Sequence, residues 1–148
     1  MTTRQLIIAA IMERLESYAW PSTGPSDFVL GPADRANVNF PLVMLEPGQE
    51  TVSRHDYGTA HQATLAFSAS IFISLDQMTK AADEIMEEAF AELKDCLFSA
   101  PVTVTENGQD HYLSLNYETG SVDYDYAVGP GFAGASATFT VTINIDFP

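Results

Sequence analysis

The sequence predicts an α+β fold, with a single antiparallel or mixed β-sheet, two amphipathic helices packed on one face of it and a long protruding β-hairpin. Two segments repeat apolar residues at the period of a helix, and several others alternate apolar and polar residues at the period of a strand. The predicted order is one helix, a long loop, three strands, a second helix and four strands. A chain of 148 residues with this order fits one domain, spanning 1–148, in which both helices cover the sheet.

The first helix is predicted over residues 3–18, with Thr2 or Thr3 as its N-cap. One arc of this helix carries the apolar residues Ile7, Ile8, Ile11, Met12, Leu15 and Tyr18. A long loop is predicted over residues 20–38, because five proline and glycine residues between Pro21 and Pro32 exclude a regular element there. Loops of this length inside a compact domain are usually functional or ordered by a partner.

The segments after this loop predict strands. The apolar run "PLVMLEP", bracketed by Pro41 and Pro47, is typical of a short strand. A long hairpin follows over about residues 50–73 and turns around "DYGT". Its second arm alternates polar residues with the apolar residues Ala63, Leu65, Phe67, Ala69, Ile71 and Ile73.

A second helix is predicted over about residues 76–97, with Ser74 and Gln77 at capping-box spacing. Its apolar arc carries Met78, Ala82, Ile85, Met86, Ala89, Phe90, Leu93, Cys96 and Leu97. The opposite arc carries Lys80, Asp83, Glu84, Glu87, Glu88, Lys94 and Asp95. The carboxylates Asp83, Glu84, Glu87 and Glu88 form an acidic face that is either solvated, which is the favoured interpretation, or directed into a lumen.

The C-terminal part, residues 101–147, is predicted to be rich in β-strands. Turns are expected at Asn107-Gly108 and at Thr119-Gly120, and "GPGFAG" (residues 129–134) is expected to be a flexible loop. The last strand, "ASATFTVTINIDF", places Ala135, Ala137, Phe139, Val141, Ile143, Ile145 and Phe147 on one face.

Charge is the strongest clue from composition. Twenty acidic and six basic residues give a formal net charge of −14. A surface that binds a nucleic-acid duplex needs clustered lysine and arginine. Here the basic residues are scattered singly along the chain, as Arg4, Arg14, Arg35, Arg54, Lys80 and Lys94. Direct nucleic-acid binding is therefore disfavoured, and an acidic surface would repel DNA that has to pass it without sticking.

The chain is also interpreted as soluble and intracellular, with no membrane partner. Its apolar N-terminal run is interrupted by Glu13, Arg14 and Glu16, well short of the roughly 18 apolar residues that a membrane span requires. The single cysteine, Cys96, excludes an intramolecular disulfide framework and is expected to be a small buried apolar residue.

The stretch "SRHDYGTAH", residues 53–61, is the one place where histidines and a carboxylate crowd together. His55, Asp56 and His61 could in principle bind a metal. However, His55 and Asp56 would point to opposite faces of a strand, and only His111 remains to complete a ligand set. We therefore predict no metal site there.

The sequence also contains no motif that indicates nucleophilic catalysis or phosphate binding. There is no nucleophile elbow, and no glycine-rich phosphate loop joins a strand to a helix. The pair Asp123 and Asp125 is best explained as an exposed acidic strand edge. No catalytic residue and no cofactor are predicted, so the chain is not expected to be an enzyme. The long hairpin and the long loop instead favour assembly, since such elements let identical subunits clasp one another.

The order of the elements resembles the tail terminator (tail completion) proteins of long-tailed bacteriophages. The resemblance covers nearly the whole chain and lies in pattern, without a short invariant signature. It includes the amphipathic N-terminal helix, the proline- and glycine-rich loop, "FPLVMLEPGQE" with the hairpin after it, the helix "DQMTKAADEIMEEAFAELKDCL" and the final strand "ATFTVTINIDF".

This resemblance implies a structural protein of the virion, located at the head-proximal end of the tail after assembly in the host cytoplasm. Such proteins form a ring, expected to be a hexamer, that caps the tail tube, stops its growth and presents a docking face to the head–tail connector or neck. DNA passes through the lumen without specific binding. By analogy in role, Arg54, His55, Asp56, Tyr57 and His61, together with the loops at 20–38 and 129–134, would contact a neighbouring subunit or the tail tube protein.

Three alternatives stay open. The chain could be a head–tail connector or neck subunit, or a tail tube subunit of related fold. It could also be a small cytoplasmic enzyme or ligand-binding domain that uses His55, Asp56 and His61.

Within the stretch 53–61, Arg54 is predicted to pair with an acidic group on an adjacent subunit, because basic residues are scarce in this acidic chain.

Overall fold

The computed structural model describes residues 2–31, 39–54, 60–74, 82–123 and 132–146. In chain order the elements are α1 (Thr3–Ser17), β1 (Asp27–Leu30), β2 (Leu42–Arg54), β3 (Ala60–Ser74), α2 (Ala82–Phe98), β4 (Val102–Glu106), β5 (Gln109–Leu113), β6 (Asn116–Asp123) and β7 (Phe132–Asp146). Five strands form one sheet in the order β1-β2-β3-β7-β6, and β4 pairs with β5 separately. β1 is parallel to β2, and the other neighbours are antiparallel. The predicted α+β class with a mixed sheet is confirmed, although the strands form two sheets instead of one.

Helix α1 begins with a capping box. The Gln5 backbone N–H donates to Thr2 Oγ1 at 3.2 Å, and the Thr2 N–H donates back to Gln5 Oε1 at 2.8 Å. This pair satisfies two N–H groups that a helix N-terminus otherwise leaves without partners. Ile7, Ile11 and Leu15 are buried on the predicted apolar arc.

A short strand lies inside the segment predicted to be a loop. β1 spans Asp27–Leu30, so the expectation that residues 20–38 hold no regular element is wrong for these four residues. They form a strand because the edge of β2 at Leu42–Leu45 offers parallel pairing, which no local pattern in the loop encodes. Residues 32–38 lie outside the described part of the chain.

Strand β2 joins the predicted short strand and the first hairpin arm into one strand of 13 residues. Its register with β3 shifts between Pro47 and Glu50, which marks a β-bulge. Because β1 pairs with β2 only as far as Leu45, Pro47 lies where no described strand flanks that edge of β2. The missing N–H of a proline breaks no ladder bond there, so the strand continues past Pro47.

The ladder between β3 and β7 is the backbone of the sheet. Each strand has 15 residues, and they pair in continuous register from Ala60–Asp146 to Ser74–Phe132. The predicted alternation is confirmed, because one face of this ladder is buried at Ala63, Leu65, Phe67, Ala69, Ile71, Ile73, Ala133, Ala135, Ala137, Phe139 and Val141. β7 already begins at Phe132, so the expectation of a loop through residue 134 is wrong for its last three residues.

Helix α2 is described from Ala82 to Phe98, while residues 75–81, including Gln77 of the predicted capping pair, lie outside the described residues. Its apolar arc is confirmed by the buried residues Met86, Ala89, Leu93, Cys96 and Leu97. Neither described helix is long and apolar enough to cross a membrane.

The strands after α2 divide between the two sheets. The β4–β5 hairpin turns at Asn107-Gly108, as predicted, with positive φ values of 53° and 76°. It packs beside α1 through Val102 and Val104 instead of joining the large sheet. The predicted turn at Thr119-Gly120 is wrong, because both residues lie inside β6.

Gly120 explains that error. A β-carbon at this position would lie 2.3 Å from Cζ of Phe90 on α2, so the glycine marks a close approach of helix and strand and not a reversal of the chain.

The core has two parts on opposite faces of the large sheet. The main cluster unites α1, α2 and one face of the sheet, which confirms that both helices pack on the same side. The smaller cluster, on the other face, consists of the buried Leu42, Met44 and Phe72, with Val29 and Phe40 packed against it. The segment from β1 to the start of β2 therefore contributes to the second cluster.

Candidate functional site

Two of the predicted contact residues, Arg54 and His61, have described backbones, which lie at the far end of the β2–β3 hairpin. The backbones of Arg54 and His61 are register partners at the last described pair of this hairpin. His55, Asp56 and Tyr57 lie outside the described residues, so the assignment of these five residues to a contact site stays a prediction. Among the described residues, no group of three or more histidine, cysteine, aspartate or glutamate side chains could hold a metal ion.

The hairpin continues beyond the strands that flank the centre of the sheet. β1 pairs with β2 as far as Leu45, and β6 pairs with β7 as far as Thr140. Past these points, β2, β3 and β7 continue together to Arg54, Ala60 and Asp146, a three-stranded extension that we term the arm. On the arm, the side chain of Val52 is 50% exposed.

The acidic face of α2 is partly occupied by the chain itself. Glu84 and Glu87 are exposed, whereas Glu88 is half-buried and its Oε2 accepts a hydrogen bond from Ser22 Oγ at 3.3 Å. The side chain of Asp83 lies outside the described part of the structure. The acidic face is therefore exposed in the single chain at Glu84 and Glu87, and it contacts the loop after α1 at Glu88.

A buried carboxylate that the sequence pattern assigned to neither arc of α2 lies beside this face. Glu92 is only 7% exposed, and its Oε1 accepts the backbone N–H groups of Ser22 at 2.7 Å and Thr23 at 3.2 Å. Its Oε2 accepts the hydroxyls of the same residues at 2.9 Å and 2.5 Å. Burial would raise the pKa of Glu92, but the hydrogen bonds from Thr23 and Ser22 outweigh it, and the pKa is lowered.

A signal for this contact exists in the sequence but is weak. Position 92 lies one helical turn from Ala89 and Cys96, on the border of the apolar arc, where a carboxylate needs donors. Which loop supplies them cannot be inferred from helical periodicity.

The arginine side chains that the structure describes donate hydrogen bonds to backbone carbonyls of the same chain. Arg14 Nη1 donates to the carbonyls of Cys96 at 3.2 Å and Ala100 at 3.0 Å, and its Nη2 donates to that of Pro101 at 2.6 Å, so it caps the C-terminus of α2. Arg4 Nη2 donates to the carbonyl of Gly48 at 2.9 Å.

Lys94 is also engaged, since its Nζ lies 4.4 Å from the centroid of the Phe90 ring. The part of the chain that the structure describes thus presents no cluster of basic residues that could bind nucleic acid.

Cys96 and Tyr18 are equally unsuited to chemistry. Cys96 is 1% exposed and donates weakly to the Arg14 carbonyl at 3.6 Å, and burial raises its pKa to about 12. Burial, together with a hydrogen bond to Asp95 at 2.7 Å, raises the pKa of Tyr18 to about 12. Both groups stay protonated at neutral pH, and the expectation that Cys96 is a buried packing residue is confirmed.

A shallow groove of about 560 Å³ lies on the sheet face opposite the helices, near the bulges of β2 and β6. Small and hydroxyl-bearing residues form much of its floor, among them Ala66, Ser68, Thr138 and Thr140, and Glu46 and Glu118 lie on its two sides. Thr140 Oγ1 donates to Glu118 Oε1 at 3.3 Å. The groove thus offers carboxylates and hydroxyls.

Comparison with known proteins relates this architecture to a virion. No protein-family model and no curated protein matches the sequence. Among solved structures, the chain is similar to one from the "Virion of native gene transfer agent (GTA) particle", with a TM-score of 0.60 and 16% identity over 93% of each chain. A second solved structure, whose name describes no function, covers 100% of this chain and 99% of its own, with a TM-score of 0.50 and 17% identity. At these identities the likeness shows a shared fold.

Proposed function

We propose that this chain is a structural, non-catalytic virion protein of the tail terminator class. It assembles into a ring, a hexamer by the family resemblance, that caps the tail tube at its head-proximal end. The ring stops addition of tail tube subunits and offers a docking surface to the head–tail connector or neck. DNA passes through its lumen without specific binding.

The observation that carries the proposal is the end-to-end fold likeness to a chain of a gene transfer agent virion. The alignment covers 93% of both chains, so the likeness extends over nearly the whole chain and not over one motif. The resemblance of the sequence to tail terminators supports the particular role, since the two helices and the long hairpin on which it rests are elements of the structure.

The arm supports assembly as the task of this fold. A domain that only needed to cover two helices would not need strands of 13 and 15 residues whose ends run past the rest of the sheet. Arms of this kind let identical subunits clasp one another in rings. The contact residues proposed here are Arg54, His55, Asp56, Tyr57 and His61. Of these, the structure describes the backbones of Arg54 and His61, which pair at the end of the arm.

Charge supports passage of DNA without binding. The net charge of −14 is multiplied sixfold in a hexamer, while Arg4, Arg14 and Lys94 are engaged inside each subunit. The acidic face with Asp83, Glu84, Glu87 and Glu88 is proposed to be either solvated or directed into the lumen. In both arrangements the net field repels phosphate groups.

The direct test is the state of the purified protein and its place in particles. Light scattering after gel filtration, followed by negative-stain microscopy, is expected to show a closed ring, with or without added tail tubes. Particles that lack the chain are expected to carry tails of irregular length that do not join heads. Tails of normal length joined to heads would contradict the proposal.

A connector, neck or tail tube subunit is the alternative that the same fold likeness supports, because each is also a virion component. Gold-labelled antibodies separate the three roles. A terminator is labelled once where the tail meets the head, a tube subunit along the whole tail, and a connector within the neck.

An enzyme or ligand-binding domain that uses His55, Asp56 and His61 makes a different prediction. Alanine at all three positions would then abolish a metal content measurable in the unmodified protein. We expect no bound metal in the unmodified protein.

A further inference from the structure

The segment that leaves α1 crosses α2 before it reaches the sheet. Trp20 folds back so that its Nε1 donates to the Leu15 carbonyl at 3.1 Å, and its ring meets that of Tyr18 edge to face at 5.0 Å. Ser22 and Thr23 then lie on α2, where Glu92 accepts four hydrogen bonds from them. We term these three residues the Glu92 latch.

In the Glu92 latch, both carboxylate oxygens are hydrogen-bonded and the side chain is almost inaccessible to solvent. Both carboxylate oxygens of Glu92 accept two hydrogen bonds. Oε1 accepts the backbone N–H groups of Ser22 and Thr23, and Oε2 accepts the hydroxyls of the same two residues. Among the described residues, every buried side-chain nitrogen and oxygen has a hydrogen-bond partner. Loss of the donors would leave a buried charge without partners, which is one of the costliest defects a fold can carry.

The groups around Glu92 add no basic partner that could replace the donors. Glu88 and Asp95 on the same helix are acidic, and Tyr18, which bonds Asp95, is a neutral phenol. Among the described residues, Tyr18 bonds Asp95 at the start of the segment, and the donors to Glu92 itself are those of Ser22 and Thr23.

The strand that this segment leads to is the weakest part of the large sheet. β1 has four residues, pairs with β2 in parallel and leaves Leu30 48% exposed. Its side chains cover both faces of the sheet edge, since Phe28 packs against the main cluster and Val29 against the small cluster.

The part of β2 that β1 covers is fully buried. Leu42, Val43, Met44 and Leu45 are each at most 1% exposed. Without β1, the backbone groups along this edge of β2 and the side chains of Leu42 and Met44 would face solvent, and such an edge is a template for pairing with another strand.

We propose that Glu92 is a latch that holds β1 over the edge of β2, so that release of Ser22 and Thr23 from Glu92 opens this edge. The parallel pairing of β1 with β2 covers only four residues and is a small contact. The connection between α1 and β1 contains Pro21, Gly24 and Pro25 and forms no helix or strand that could hold β1 in place. β1 is also held at its own ends, because the Ser26 N–H donates to the Pro41 carbonyl at 2.8 Å and the Asn39 N–H donates to Asp27 Oδ2 at 2.7 Å. The carboxylate contact on α2 fixes the segment that precedes β1, and its loss is expected to loosen β1 from that side. This inference is independent of the proposed terminator function.

Hydrogen–deuterium exchange on the purified full chain tests the latch. In Glu92→Gln, which keeps the shape but loses the charge and one acceptor oxygen, exchange over residues 26–31 and 42–45 is expected to rise about tenfold or more. Exchange over residues 63–73, in the central ladder, is expected to stay unchanged. The single tryptophan, Trp20, supplies a second readout, because its emission is expected to shift to the red as the segment detaches.

Two further variants keep the test decisive. Glu87→Gln is the matched control, because Glu87 is exposed on the same helix and no change is expected. If Glu92→Gln does not fold, Thr23→Val removes one hydroxyl donor while it leaves the carboxylate and the backbone donors in place, and a smaller rise over the same residues is expected. Unchanged exchange at residues 26–31 in the folded variant, or an equal rise throughout the chain, would overturn the proposal.

Discussion

The central ladder of β3 and β7 and the edge pair of β1 and β2 are held in opposite ways. The ladder runs for 15 consecutive residue pairs, and burial of alternate apolar side chains stabilises it along its length. The edge pair has four residues, and the segment that precedes it is hydrogen-bonded to a carboxylate on α2, three elements later in the chain. This domain thus combines a long central ladder of β3 and β7, which we term the platform, with a short edge strand that few contacts hold in place.

The arm is intermediate between these two regions. It shares the strands of the ladder, but it lies beyond the pairing with β1 and β6. In the proposed ring it is the part of the platform that reaches a neighbour.

The largest expected effect comes from the platform. Phe139 is 1% exposed, stacks on Phe67 at 5.5 Å and meets Phe98 edge to face at 5.7 Å. Phe139→Ala is expected to lower the free energy of unfolding by about 3–5 kcal/mol, because it removes buried apolar surface and leaves a cavity. Urea denaturation followed by circular dichroism measures this value.

The matched control for Phe139 is Thr142→Ala, an exposed position on the opposite face of the same strand. Its effect is expected to stay within about 0.5 kcal/mol. Similar losses in both variants would mean that burial does not organise the ladder.

A smaller effect is expected where α2 meets the far edge of the sheet. Gly120→Ala places a β-carbon 2.3 Å from the Phe90 ring, and such overpacking costs about 1–3 kcal/mol. The added atom would also lie 2.4 Å from Oη of Tyr117, so Phe90→Leu is expected to relieve only part of the cost in a double-mutant cycle.

The same Phe90 change should not help Gly108→Ala, whose added atom meets nothing within 4 Å and whose cost of about 1–2 kcal/mol comes from its positive φ. Equal rescue of both glycine variants would show that the steric account of Gly120 is incorrect.

The stability of the pairing between β1 and β2 should depend on the ionisation of Glu92 and therefore on pH, whereas the stability of the β3–β7 ladder should not depend on Glu92. The pKa of Glu92 is lowered in the folded chain from an ordinary value of 4.5, so its ionised form stabilises the fold. This contribution is fully present above the pKa of the unfolded chain and is lost as the pH falls through the folded pKa.

Trp20 emission during acid titration is therefore expected to show a step in the unmodified chain, and the difference from Glu92→Gln isolates Glu92 from the other carboxylates. Identical titrations of the two proteins would exclude Glu92 as the titrating group.

The smallest effect on the fold is expected at the tip of the arm. Arg54→Glu should leave the free energy of unfolding within about 0.5 kcal/mol of the unmodified chain. It should nevertheless weaken ring assembly, because it replaces the proposed partner of an acidic group on the next subunit with a repelling charge. Gel filtration with light scattering measures assembly, and Arg54→Lys, which keeps the charge, should restore much of it. Unchanged assembly of Arg54→Glu would refute the role given to this residue.

What could be predicted from the sequence follows the same division. The period of two in β3 and β7 and the period of 3.6 in α1 are repeated often enough to define the faces of these elements before any contact is known. The turn at Asn107-Gly108 was equally predictable, because these residues accept positive φ values.

The errors fall where a distant partner decides the structure. β1 is a strand because β2 lies beside it, and Pro47 is tolerated because no described strand flanks that stretch of β2. Gly120 lies in a strand because it pairs with β7, and the close approach of Phe90 explains why this residue is a glycine. Glu92 is the clearest case at the level of a site, since its donors come from residues 69 and 70 positions away in the sequence. Local periodicity carries no information about such contacts.

The most direct measurement of the central claim is electron microscopy of particles that contain this chain, with the chain labelled by a specific antibody. The account predicts a single ring at the junction of tail and head, with the arms of adjacent subunits in contact. Label along the whole length of the tail, or its absence from assembled particles, would contradict it.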